Sequence, residues 1–173
     1  RTWRSFPRFS AKTILSGEAE MNASERLSIE EVLLREGKYV GPTVGTSMLP
    51  MLKSGRDSIV VFPKGGRLNR LDVALYKRGE NYILHRVIEV KEGGYVIRGD
   101  NCYSDEWVPE GEILGVLTEF FRGGKRVSCT DKRYLRYAKR RVGGYPARLF
   151  AFRVKSAAKR AVKRLIGGRE GGR

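Results

Sequence analysis

The chain of 173 residues contains a single histidine, His85, and two cysteines, Cys102 and Cys129. One imidazole and two thiols fall short of a structural zinc set, so no metal and no cofactor is expected, and the cysteines read as free thiols. No run of about 18 apolar residues occurs, so a transmembrane helix is not expected on length. The first twenty residues offer only Thr13-Ile14-Leu15 as an apolar stretch, too short for the hydrophobic region of a secretory leader. Met21 stands just ahead of a helix start, and residues 1–26 read as an upstream, disordered extension.

Acids are almost missing from the C-terminal quarter. Residues 132–173 hold 15 Lys and Arg against one acid, Glu170, whereas residues 21–131 hold 16 of each sign and residues 1–20 hold four basic and two acidic. The net charge of +16 therefore belongs to the tail. A hydrophobic content of 40% with 10% aromatics fits a globular domain rather than a disordered chain.

Ser28-Ile29-Glu30-Glu31 has the form of a capping box, predicting a helix over 28–36 that stops at Gly37. The pattern then changes to short β runs at 58–62, 72–77, 82–90, 95–98 and 113–121, separated by Gly, Asn and Pro. Gly123-Gly124 is expected to close a further hairpin. This predicts a mainly β domain over 27–128 with a short N-terminal helix, followed by a basic helical tail over 129–173.

Chemistry centres on the histidine. In the strand around it, a period of two puts Ile83, His85 and Val87 on one face, and such partial burial keeps an imidazole neutral at pH 7, as a general base must be. A packed core histidine would look the same. Ser47-Met48-Leu49-Pro50 and Gly99-Asp100-Asn101 each read as turns. Together, a serine, a lone imidazole and a carboxylate are the parts of a nucleophile, its base and the group that orients the base.

Val44-Gly45-Thr46-Ser47-Met48-Leu49-Pro50-Met51-Leu52 resembles the nucleophile box of type I signal peptidases. Arg56-Asp57-Ser58-Ile59-Val60-Val61, Leu71-Asp72-Val73-Ala74-Leu75, His85-Arg86-Val87-Ile88 and Gly99-Asp100-Asn101 are similar to that family's following boxes, in order, over roughly residues 40–120. Histidine at position 85, where most bacterial members carry lysine, resembles the endoplasmic-reticulum, archaeal and sporulation-associated branch. The resemblance implies a signal-peptidase-like β domain acting on a peptide or precursor-protein substrate. It implies Ser47 as nucleophile, His85 as general base and Asp100 as the supporting acid, with Asp105 as the alternate. It further implies an oxyanion and substrate site around Gly45, Thr46, Met48 and Pro50, with the Ser47 N–H as main donor. The alternative is a catalytically inactive peptide-binding or membrane-adaptor relative.

The tail carries its own pattern. Phe150, Val154, Ala157, Ala161 and Leu165 recur at spacings of three and four among Arg148, Arg153, Lys155, Lys159, Arg160, Lys163 and Arg164, giving a basic amphipathic helix over 146–166 suited to an anionic membrane surface. Tyr134, Tyr137, Tyr145, Phe150 and Phe152 are expected to serve as interfacial aromatics. Packing of the stripe on the domain is the competing expectation, and no base-reading nucleic-acid module is evident. The expected location is cytoplasmic or peripheral to a membrane.

Overall fold

The computed structural model describes residues 27–167, with side chains described to residue 161; the extension over 1–26 lies outside the described residues. The predicted helix is α1 (Ile29–Glu36). Ser28 caps it, with the reciprocal Glu31 contact of a capping box, and Gly37 ends it at φ 67°, a left-handed geometry that glycine adopts without steric cost.

The protein is mainly β. One antiparallel sheet of eight strands comprises β1 (Tyr39–Pro42), β2 (Asp57–Pro63), β3 (Val73–Arg78), β4 (Asn81–Lys91), β5 (Gly94–Arg98), β6 (Glu106–Pro109), β7 (Ile113–Arg122) and β8 (Lys125–Ser128). The order is β1-β2-β7-β3-β4-β5-β6, with β8 paired to β7 through the turn at Gly123-Gly124. The sequence pattern passes over β1 and β6. Each has four residues and ends in proline, and each closes one end of the strand order, where a residue without an N–H is tolerated.

Alternate residues of β3 serve two cores. Val73 and Leu75 join Leu33 of α1, Met48, Met51 and Leu52 of the loop after β1, and Phe120 of β7. Ala74 and Tyr76 join Val87, Tyr95, Ile97, Val108 and Ile113. Burial on both faces explains why β3 reads as a continuous apolar run. A large apolar side chain buried here contributes roughly 1.5–3 kcal/mol.

The basic tail is divided in the structure. Helix α2 (Lys132–Gly143) buries Tyr134, Ala138 and Val142 at a spacing of four, and Tyr134 belongs to the first core. Tyr134 and Tyr137 are therefore packing residues and not interfacial aromatics, because their rings and hydroxyls are engaged inside the domain. Helix α3 (Tyr145–Gly167) follows.

Between sheet and helices lies a buried ion pair. Arg86 of β4 is fully buried and donates to both carboxylate oxygens of Asp100 at 2.8 Å, to Leu71 O at 2.9 Å and to Tyr134 Oη at 3.0 Å. Tyr137 Oη donates to Asp100 Oδ2 at 2.9 Å. Removing one partner leaves an uncompensated buried charge. Asp100→Asn or Arg86→Met is expected to lower unfolding stability by about 3–5 kcal/mol, read as a lower denaturant midpoint. The double replacement Arg86→Met with Asp100→Leu should recover part of that loss.

Candidate functional site

The serine turn is held at its base before it is held at its tip. Thr43 N donates to Asp57 O at 3.1 Å, and Thr43 Oγ1 bonds Asp57 O and Lys53 O. The Asp57 carboxylate takes Lys53 N at 2.9 Å and the Arg56 guanidinium, which holds its pKa below the usual carboxylate range. Residues 43–57 thus form a closed loop. At the tip, Asn101 N donates to Ser47 O at 2.7 Å and Asn101 Nδ2 to Thr46 O at 3.3 Å, so the Gly99-Asp100-Asn101 turn grips the backbone of the serine.

Gly99 brings that turn against the histidine as well. A Cβ at this position would lie 2.7 Å from Ser47 O, 3.0 Å from His85 Nε2 and 2.7 Å from Cys102 Sγ. Only a residue without a side chain permits this approach. Nε2 therefore faces the serine turn, while the other ring nitrogen is engaged behind it. Nδ1 lies 3.0 Å from Glu106 Oε1 and 3.2 Å from Tyr76 Oη. Tyr76 Oη also donates to Glu106 Oε1, and Arg78 pairs with Glu106 Oε2.

The carboxylate on the imidazole is thus Glu106, and not Asp100 or Asp105. Asp100 is taken by Arg86, and Asp105 is paired with Arg98 at 2.7 Å. The neighbouring residues Asp105 and Glu106 have separate partners. Glu106 opens β6 opposite Ile97 of β5, which brings it within reach of β4. Tyr76, Arg78 and Glu106 escaped the sequence reading, and Gly99 entered it only as part of the Gly99-Asp100-Asn101 turn.

The His85 side chain is 12% exposed. Burial pushes its pKa down to about 4, with the Arg78 cation acting in the same direction and Asp100 opposing. The ring is therefore neutral at pH 7. With a carboxylate accepting at Nδ1, the proton sits on Nδ1 and the Nε2 lone pair is free to act as a base.

Beside the serine and histidine opens a cavity of about 570 Å³ whose lining includes Gly45, Met48, Leu52, Ile59, Leu75 and Tyr82. Gly45 has φ 85° and Met48 is buried in the floor, whereas Thr46 and Pro50 are exposed on the turn. The cysteines are free thiols; burial pushes Cys129 up to about 11. Among the described residues no three His, Cys, Asp or Glu side chains converge as metal ligands would. No protein-family model and no curated protein matches the chain.

A single histidine makes the electrostatics directly measurable. Its imidazole resonances are expected to titrate well below 6.5, at about 4. Because the unfolded chain takes up this proton near 6.5 and the folded one only near 4, stability present above 6.5 is lost as pH falls towards 4, by up to about 3 kcal/mol. His85→Asn should remove that share of the pH dependence, seen by comparing denaturation midpoints at pH 7 and pH values approaching 4.

Proposed function

We propose that the chain is a serine endopeptidase that cleaves a leader, signal or precursor peptide, with Ser47 as nucleophile and His85 as general base. The observation that carries this reading is the two-sided engagement of His85: Glu106 on Nδ1 and the Gly99 and Ser47 turn at Nε2. The similarity of the Ser47, His85 and Asp100 boxes to those of type I signal peptidases agrees with it.

In the proposed reaction Ser47 Oγ attacks the scissile carbonyl carbon while Nε2 takes the hydroxyl proton. The resulting imidazolium is stabilised by Glu106, so the acid that serves the base here is a glutamate. The carbonyl oxygen becomes an oxyanion at the Ser47 N–H, where one preorganised donor is typically worth about 3 kcal/mol. Nε2 then returns its proton to the leaving amine, giving an acyl-Ser47 ester. Water, deprotonated by the same nitrogen, hydrolyses that ester and regenerates the serine. The apolar cavity suits an apolar side chain of an extended substrate next to the bond that is cut.

The test is a comparison of protein N-termini by mass spectrometry in the native host carrying wild type or Ser47→Ala. Uncleaved precursors are expected to accumulate in the variant. Identical N-termini with both chains expressed would reject the peptidase in favour of a silent peptide-binding module. With a substrate so identified, His85→Ala is expected to reduce kcat/KM by at least about 10³-fold and Glu106→Gln by about 10²-fold. Activity should hold from neutrality into mildly acidic pH and be lost as His85 protonates at about 4.

A further inference from the structure

Helix α3 has two unlike sides. One is fixed to the domain: Tyr145 Oη donates to Tyr103 O at 2.8 Å, Arg148 Nη1 donates to Asp100 O at 2.9 Å, and Phe152 stacks on Tyr103 with ring centroids 4.1 Å apart. The Arg98 guanidinium lies over the Tyr145 ring at 3.3 Å. At about 100° per residue, Tyr145, Arg148 and Phe152 fall on one flank, and Phe150, Val154, Ala157 and Ala161 fall within an arc of about 60° on roughly the opposite flank. The second group is exposed throughout; Phe150 is 71% and Val154 51% accessible. The expectation that the stripe packs on the domain is thus not met for these four residues, because the domain holds the other side; the fifth, Leu165, lies outside the residues whose side chains are described. Arg148, Tyr145 and Phe152 are likewise anchors to the domain and not part of the outward face.

At the same 100° per residue the outward stripe is bordered along one edge by exposed Arg153 and Arg160, while exposed Lys155 and Lys159 lie towards the anchoring flank, and no acid occurs anywhere in residues 145–167. An aromatic and aliphatic stripe beside a row of cations matches the two layers of an anionic bilayer surface, acyl boundary beneath and phosphate above. No helix among the described residues is long and apolar enough to cross a membrane. We propose that α3 lies along an anionic lipid surface, with Phe150 and Val154 inserted and the bordering Arg153 and Arg160 on lipid phosphates. The inference does not depend on the peptidase reading. It adds a spatial consequence, since the anchoring side of α3 holds the very segment, Asp100 to Tyr103, that follows Gly99 against His85 and Ser47. Docking would place that turn about one helix diameter, roughly 10 Å, from the lipid headgroups.

The test is flotation of the full chain with vesicles of phosphatidylcholine mixed with phosphatidylglycerol, against vesicles of phosphatidylcholine alone. Binding to the mixed vesicles only is expected, weakened about tenfold or more in Phe150→Ser combined with Val154→Ser. Both positions are exposed, so an unchanged thermal midpoint should accompany that loss. Arg153→Glu combined with Arg160→Glu is expected to abolish binding at physiological salt. Absence of flotation with either vesicle would overturn the proposal. So would binding indifferent to the double serine replacement, or tighter binding to nucleic acid than to the mixed vesicles at the same salt, either of which would reduce the helix to a patch of charge.

Discussion

The Arg86–Asp100 pair is the constraint on which the rest of the structure hangs. Two ions taken out of water each cost several kcal/mol, and mutual attraction offsets that only when the remaining hydrogen-bonding capacity is also filled. Here Leu71 O, Tyr134 Oη and Met51 Sδ take the other guanidinium groups, and Tyr137 fills the carboxylate. Satisfying one pair therefore fixes the entry to β3, the floor of the serine loop, the turn after β5 and helix α2 against one another. Even the backbone complies: Leu71, with no glycine's freedom, sits at φ 85° with its carbonyl on Arg86. Arg86 and Asp100 each stand next in sequence to a site residue, His85 and Gly99 respectively. Rigidity at the pair is thus rigidity at the site.

Commitment of Asp100 to Arg86 also determines how the other acids are used. Three carboxylates, Asp100, Asp105 and Glu106, stand within seven residues, and each has its own arginine: Arg86, Arg98 and Arg78. Only Glu106 reaches the imidazole as well. A free carboxylate beside a histidine would raise its pKa; one already balanced by a guanidinium exerts far less pull, which leaves burial as the leading influence on His85. The arrangement keeps the ring neutral yet leaves a hydrogen-bond acceptor at Nδ1 to meet the charge when a proton arrives at Nε2. Orientation and charge balance are thereby assigned to different contacts of one glutamate.

Elements whose stability is local were legible in the sequence. The capping box of α1 and the long strands β2, β3, β4, β5 and β7 announce themselves through caps, period and turn residues. The edge strands β1 and β6 did not, since four residues ending in proline carry too little pattern and owe their conformation to a neighbouring strand. In α2 the many cations hid a stripe of Tyr134, Ala138 and Val142, whose spacing of four was present but whose partner surface was not. At the site, Ser47 and His85 could be named from their motifs, and their approach through Gly99 could not. The choice between Asp105 and Glu106 turns on which carboxylate begins β6, a matter of register that counting residues from a turn does not resolve.

The segregation of charge along the chain follows from the same packing. Residues 21–131 are neutral in sum, and many of their charges close on one another in pairs such as Arg56–Asp57, Lys64–Glu110 and Arg86–Asp100. A body neutralised in this way projects little field of its own. The cations of α3 have no acid within their helix, but at physiological ionic strength their influence fades within about 8 Å. An anionic surface would therefore meet them by contact more than by attraction from afar, and such a contact gains from apolar area alongside the charge. The outward face of α3 carries both, while its inward face is tied, through Arg148 and Tyr145, to the turn that lies against Ser47 and His85.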